Sequence, residues 1–279
     1  APVFVIGNGP SLDEALDVIK EHKDNAILVA CGSAISALHK IGIKPDIYVA
    51  TERTKIVYDF LLNLNDPEYL HDIIFLSTDV IHPDCSTLFK QSALIFKAGE
   101  PGSSVYQTNF PTLPHYAVIG GVNPLVGNIG VSAPIYLGFT NLYLFGLDNG
   151  YKNKGHHHSR YSSYYNNEDN AKALGNLMYS DKQWSREGNF GGEIISNIMF
   201  DTSRRVVEQV LSTNENVQCF NCSDGVKIEG AKALPASEVK LFHPINKHII
   251  LDEITRLFSP IPLSKQNFEP LIDVDYFNY

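Results

Sequence analysis

Gly7-Asn8-Gly9-Pro10-Ser11-Leu12 follows the apolar run Val3 to Ile6 and opens an amphipathic stretch. A glycine-rich turn between a strand and a helix aims backbone N–H groups and the positive helix end at one spot, so an anion belongs there. The glycines let the main chain approach a phosphate closely, and Asn8 and Ser11 add side-chain hydrogen bonds. The same residues also read as plain punctuation, since Ser11 with Glu14 is a capping box and Pro10 stands just before a helix. A dinucleotide fingerprint would place a third glycine where Leu12 stands and an acid after the second strand, where Ala30-Cys31-Gly32-Ser33 is found. The Lys-Ser/Thr pair of a P-loop is missing too, so neither a nicotinamide dehydrogenase nor a P-loop NTPase is favoured. Gly32-Ser33 repeats the strand-to-helix logic, ordinarily as a cap.

A second group with chemistry follows Asp148: His156, His157 and His158, within the polar, tyrosine-rich stretch from Tyr151 to Asn170. Imidazoles titrate near neutrality and suit a general base. Three adjacent histidines cannot all point inward, and a solvent-facing loop is the alternative. His156 and His158 with Asp148 have the types of a metal site, although zinc sites draw on better separated ligands. Asp46 and Asp148, both at strand ends, are possible magnesium ligands for a nucleoside triphosphate. Tyr161, Tyr164 and Tyr165 either donate to a phosphate or pack a lid. Cys219-Phe220-Asn221-Cys222 has redox or zinc spacing, but no second pair completes a zinc site, and two thiols at the end of a late strand is the simpler reading.

These groups need a scaffold. Short apolar runs at Val3 to Ile6, Ile27 to Ala30, Ile47 to Ala50, Ile73 to Leu76, Leu94 to Phe96 and Leu142 to Phe145 alternate with helical patterns. Runs without polar alternation are strands covered on both faces, which a parallel sheet with crossover helices requires. The fold class is α/β, doubly wound and mostly parallel, with a helical C-terminal extension. We expect a nucleotide-binding and catalytic domain over 1–232, a lid loop at about 151–170, and the extension over 233–279. Helical patterns run over Ala171 to Trp184, with Trp184 as a core residue, and Thr202 to Leu211; a last strand spans Val217 to Asn221.

The chain has 279 residues, 44% of them hydrophobic, enough for a full core. A formal charge of -9 argues against broad contact with nucleic acid or an anionic membrane, so a bound phosphate must be held locally. Four cysteines, unevenly placed, point to a reducing compartment. No apolar run reaches spanning length and the N-terminus lacks signal-peptide character, from which a cytoplasmic location is expected.

Taken in order, Gly7-Asn8-Gly9-Pro10-Ser11-Leu12, Ala30-Cys31-Gly32-Ser33-Ala34, Gly42-Ile43-Lys44-Pro45-Asp46, Gly127-Asn128-Ile129-Gly130, Gly146-Leu147-Asp148 and Asn221-Cys222-Ser223-Asp224-Gly225 with Ile228-Glu229-Gly230 resemble the motility-associated-factor (Maf) flagellin glycosyltransferases, within the group that includes MptE-like pterin pyrophosphokinases. The opening motif is similar to that of bacterial sialyltransferases using CMP-sialic acid. The resemblance implies a Rossmann-like, sialyltransferase-like GT-A variant and transfer of a nonulosonic acid from a CMP donor to a hydroxyl acceptor such as flagellin Ser or Thr. It implies no required metal, whereas the alternative, a pterin pyrophosphokinase, would need ATP and magnesium. A non-catalytic nucleotide-sugar binding module is the third reading. On the transferase reading, Gly7, Asn8, Gly9 and Ser11 hold the nucleotide and its phosphate, Gly32 and Ser33 border the ribose or cytosine, and Gly127 and Asn128 bound the sugar. Tyr164, Asn221 and Glu229 complete the sugar or acceptor side, and Asp148 with one of the three histidines supplies the base. Where relatives show an acid directly after Ala50, Thr51-Glu52 stands here, which shifts the reach of the donor-side carboxylate; Asp148-Asn149 replaces the usual aspartate-leucine.

Overall fold

The computed structural model describes residues 1–109, 116–153, 157–163 and 182–259. Its strands are β1 (Pro2–Ile6), β2 (Ile27–Cys31), β3 (Ile47–Ala50), β4 (Ile74–Thr78), β5 (Gln91–Lys97), β6 (Val118–Ile119), β7 (Asn141–Phe145), β8 (Gln183–Glu187), β9 (Glu193–Asn197), β10 (Gln218–Asn221) and β11 (Ala231–Ala233). Its helices are α1 (Leu12–Glu21), α2 (Ala34–Lys40), α3 (Ile56–Leu62), α4 (Pro67–His71), α5 (Pro101–Asn109), α6 (Val126–Tyr136), α7 (Ile198–Ser212) and α8 (Lys247–Arg256). Among the described residues none of these helices is long and apolar enough to cross a membrane.

Nine strands form one sheet in the order β11-β10-β7-β1-β2-β3-β4-β5-β6, every neighbouring pair parallel. Strand parity divides the core. Phe4 and Ile6 of β1 face one side, packed by Leu12, Leu16 and Ile19 of α1 and Ile35 and Leu38 of α2. Val3 and Val5 face the other, packed by Ile129 and Val131 of α6, Val207 and Leu211 of α7 and Ile254 of α8. Both faces are covered, which is why the strands read as uninterrupted apolar runs. In α1 the buried residues Leu12, Ala15, Leu16 and Ile19 recur at the helical period and form one stripe. By contrast α6 is buried nearly all round, and Gly130 brings it onto the sheet, because a Cβ there would stand 2.3 Å from Cys31 Sγ.

The chain winds outward from β1 to β6, then returns to lay β7 on the opposite side of β1. Connections from β1 and β7 therefore leave in opposite directions, and a crevice at their carboxyl ends is the place such sheets use for ligands.

Several details differ from the sequence reading. Trp184 lies not in a helix but on β8, which pairs antiparallel with β9 outside the main sheet; its ring faces the Arg186 guanidinium at 5.5 Å. Residues 164–181 of the expected helix and lid lie outside the described residues. The two residues of β6 and the Ala-Lys-Ala of β11 were not expected, being too short to show a period. Cys219 and Cys222 differ by an odd number along β10 and its extension, and they enter opposite cores. Burial pushes both thiols up to about 12, leaving them inert.

Candidate active site

The ends of β1 and β7 approach each other at glycines. Gly7 N donates to Phe145 O and Gly9 N to Gly146 O, both at 2.8 Å. A Cβ on Gly7 would stand 2.5 Å from Gly146 O, and one on Gly146, at φ +64, would stand equally close to Gly7 O. Asp148 follows two residues after Gly146. A Cβ on Gly9 would lie 1.8 Å from its Oδ2, and one on Gly225 would lie 2.2 Å from its Cα. Gly9 thus makes room for the Asp148 carboxylate and Gly225 for its main chain; the carboxylate also accepts from Ser11 N at 3.3 Å.

This changes the meaning of the opening motif. The amides of Gly7 and Gly9, expected to be free for a phosphate, are spent on carbonyls of the β7 end. The anion at the amino end of α1 is the chain's own Asp148.

Burial raises the Asp148 carboxyl from the ordinary aspartate range to about 7, against the hydrogen bond from the Ser11 amide, with nearby Asp224 pushing the same way as burial. A carboxyl that titrates near neutrality is suited to exchanging a proton with a substrate. It lines a cleft of about 170 Å³ with Pro10, Ser11, Glu14, Lys152 and Asp224, where Lys152 Nζ pairs with Asp224 Oδ2 at 2.5 Å.

On the other side of the motif, Asn8 joins three segments. Its Nδ2 donates to Ser33 Oγ and to Ser162 Oγ, both at 2.8 Å. Its carbonyl accepts from Ser159 N at 2.9 Å and from His158 Nδ1 at 3.3 Å. Ser159 Oγ and Arg160 Nε bond Asp13 of α1, and Ser163 N donates to Ser36 Oγ of α2 at 3.3 Å. Residues 157–163 therefore lie across the carboxyl ends of β1 and β2. Neither Ser11 nor Ser33 caps its helix through the side chain.

The expected histidine base fares differently from Asp148. Burial, reinforced by His157 4.7 Å away ring to ring, lowers His158 to about 4, so it is neutral and weakly basic. His156 and Tyr164 lie outside the described residues.

Other expected residues occupy varied places. Gly32 takes φ +52 beside Ser33, and Glu52 is exposed on the connection after β3. A Cβ on Gly127 would stand 3.4 Å from the Leu147 side chain. Asn128 is fully buried, with Oδ1 accepting from Leu125 N and Ser203 Oγ and Nδ2 donating to Ser203 O, so it caps α6 and ties it to α7. Asn221 is likewise fully buried and braces the turn that follows it, through Ser223 N and Val226 O. Glu229 stands at the amino edge of the sheet, because β11 starts opposite Cys219 two residues later, and it pairs with Lys227 at 3.2 Å. Asp46 is also at the amino edge, just before β3, where it accepts from Leu28 N at 2.7 Å and pairs with Lys247 of α8 at 2.5 Å. It cannot share a magnesium ion with Asp148 at the carboxyl edge, since strands of this length separate the two edges by ~15 Å.

Sequence reading missed Lys152, Glu14 and Ser162 as parts of the site and Gly225 as the floor under Asp148. The Ser223-Asp224-Gly225 turn was visible as a motif, but its partner was not.

A family model described as "6-hydroxymethylpterin diphosphokinase MptE-like" matches residues 1–154. Among solved structures, a Maf glycosyltransferase from Magnetospirillum magneticum AMB-1 is similar, with a TM-score of 0.73 and 27% sequence identity over 91% of this chain. The chain spans 37% of that protein's length. No curated protein sequence matches significantly. By the family match, the chain belongs to the MptE-like family.

Proposed function

We propose that this MptE-like chain is the catalytic unit of a glycosyltransferase that moves a nonulosonic acid from a CMP-linked donor to a hydroxyl acceptor, without a metal. The observation that carries the reading is the Asp148 carboxyl, held at the β1/β7 crevice and titrating near neutrality. In the reaction the acceptor oxygen bonds the anomeric carbon while its proton passes to Asp148. The bond from that carbon to the phosphate oxygen breaks, and CMP leaves with the electron pair. A base matched to neutral pH accelerates such a step by about 10²–10⁴. Likeness to the Maf glycosyltransferase supports the transfer class. For the donor, Asn8, Gly32 and Ser33 gather at the ends of β1 and β2, and Glu52 follows β3 on the same edge.

The family description favours a second reading, diphosphate transfer from ATP to a pterin. Magnesium would supply charge neutralisation there, but the Asp46 and Asp148 pair does not fit the ion, because the two stand at opposite edges of the sheet.

CMP release from a CMP-nonulosonate in EDTA, with a Ser/Thr peptide as acceptor, tests the first reading; pterin diphosphate formation from ATP with magnesium tests the second. Release in EDTA that drops 10²–10⁴-fold in Asp148→Asn supports the transferase. Diphosphate formation without CMP release removes it.

A further inference from the structure

The cleft against Asp148 has a composition and a size that select among the reactants. Its anion position is already filled, since the Asp148 carboxylate lies where the amino end of α1 and the Ser11 amide would otherwise receive a phosphate. Glu14 and Asp224 add two more carboxylates to the lining, against the single ammonium of Lys152. A phosphate brought into this space would face more negative than positive charge at short range. The volume points the same way. About 170 Å³ is smaller than the ~300–1,000 Å³ of typical small-molecule sites and corresponds to roughly five or six waters at ~30 Å³ each. The enclosed part has room for one side chain or part of one ring.

Among the described residues the Asp148 side chain, which is 5% exposed, receives hydrogen bonds only from Ser11 and from its own amide. A carboxylate has about four acceptor positions, so it retains capacity for an incoming O–H. The Lys152–Asp224 pair neutralises the outer rim, so a neutral group entering past it strands no unpaired charge.

We infer that the cleft lined by Ser11, Glu14, Asp148, Lys152 and Asp224 receives the neutral hydroxyl end of the acceptor, and that the donor's phosphate is held on the other side of Asn8, toward Gly32 and Ser33. The inference rests on the glycosyltransferase reading and reverses the first expectation for the turn: its Ser11 side serves the acceptor and its Asn8 side the donor. Asn8 is the divider, because its amide is anchored toward Ser33 and Ser162 while Ser11 turns to Asp148.

Amide chemical shifts of the wild-type chain, titrated separately with CMP and with N-acetylserinamide in the presence of saturating CMP, test it without a variant. CMP is expected to move the Asn8, Gly32 and Ser33 signals, and the serinamide those of Ser11, Gly150 and Lys152. A calorimetric titration of CMP against Asp148→Asn adds a second arm, with a Kd expected within about twofold of wild type because the phosphate does not meet this carboxylate. CMP signals centred on Ser11, Gly150 and Lys152, a Kd tightened tenfold or more in Asp148→Asn, or a serinamide that moves none of the three signals would each overturn the inference and leave the transferase reading intact. CMP that binds nowhere overturns the transferase reading itself.

Discussion

At Asp148 the close packing of two glycines becomes a proton affinity. Gly9 presses main chain against the carboxylate and Gly225 against the Asp148 backbone, and the resulting burial raises the carboxyl pKa from 3.8 to about 7. Between those values the folded chain holds this proton more tightly than the unfolded chain does. The group therefore contributes stability below pH 4 that is progressively lost as pH rises to about 7. Asp148→Asn cannot titrate, so its urea midpoint is expected to fall less than that of the wild type between pH 5 and pH 8. An equal fall in both would show that Asp148 does not carry the shift. On the proposed transferase reading, transfer is expected to rise with pH through about 7 in the wild type, as Asp148 ionises. Gly9→Ala would set a methyl 1.8 Å from Asp148 Oδ2 and 2.7 Å from Gly146 O, so the carboxylate must move toward solvent. In that variant the rising limb is expected to shift toward ordinary carboxylate values, read from the pH profile of CMP release.

Elements hold these residues in place through contacts that leave no slack. Helix α6 lies against β1 and β2 only because position 130 lacks a side chain. Ala is the better helix former by ~1 kcal/mol, yet a methyl 2.3 Å from Cys31 Sγ cannot be accommodated without a shift. Overpacking of this kind costs about 1–3 kcal/mol and is expected to prevail in Gly130→Ala. Adding Cys31→Ala removes the sulfur and should restore part of the loss in denaturant titrations; a double variant no more stable than the single one would refute the contact as the cause. At the amino edge, Lys247 of α8 neutralises a half-buried Asp46. Lys247→Met leaves that carboxylate unpaired and is expected to lower stability by about 2–3 kcal/mol, less at pH values where Asp46 is protonated.

Across the whole molecule, protection follows position in the sheet. β1, β2 and β7 are central and covered on both faces, whereas β6 and β11 are short edge strands. Hydrogen exchange is expected to be slowest in the central strands and to proceed through local opening at both edges. Equal protection of β11 and β1 would contradict this gradient. The same arrangement places the site where stability is high, since Gly7 and Asp148 continue directly from β1 and β7.

The local sequence determined the strands buried on both faces, the glycine turn after the first of them and the α/β class, because apolar runs and strand-to-helix turns are encoded by neighbouring residues. Asp148 could be picked out as a chemical group for the same reason. Its environment could not: Gly9 and Gly225 lie far apart along the chain, and only the parallel order β10-β7-β1 brings them to either side of it. That order also assigned Glu229 and Asp46 to the edge away from the site, enclosed Asn128 between two helices, and gave the first turn's amides to a neighbouring strand. Each of those outcomes depends on which strands lie side by side, and long-range pairing leaves no trace in the spacing of residues along the chain.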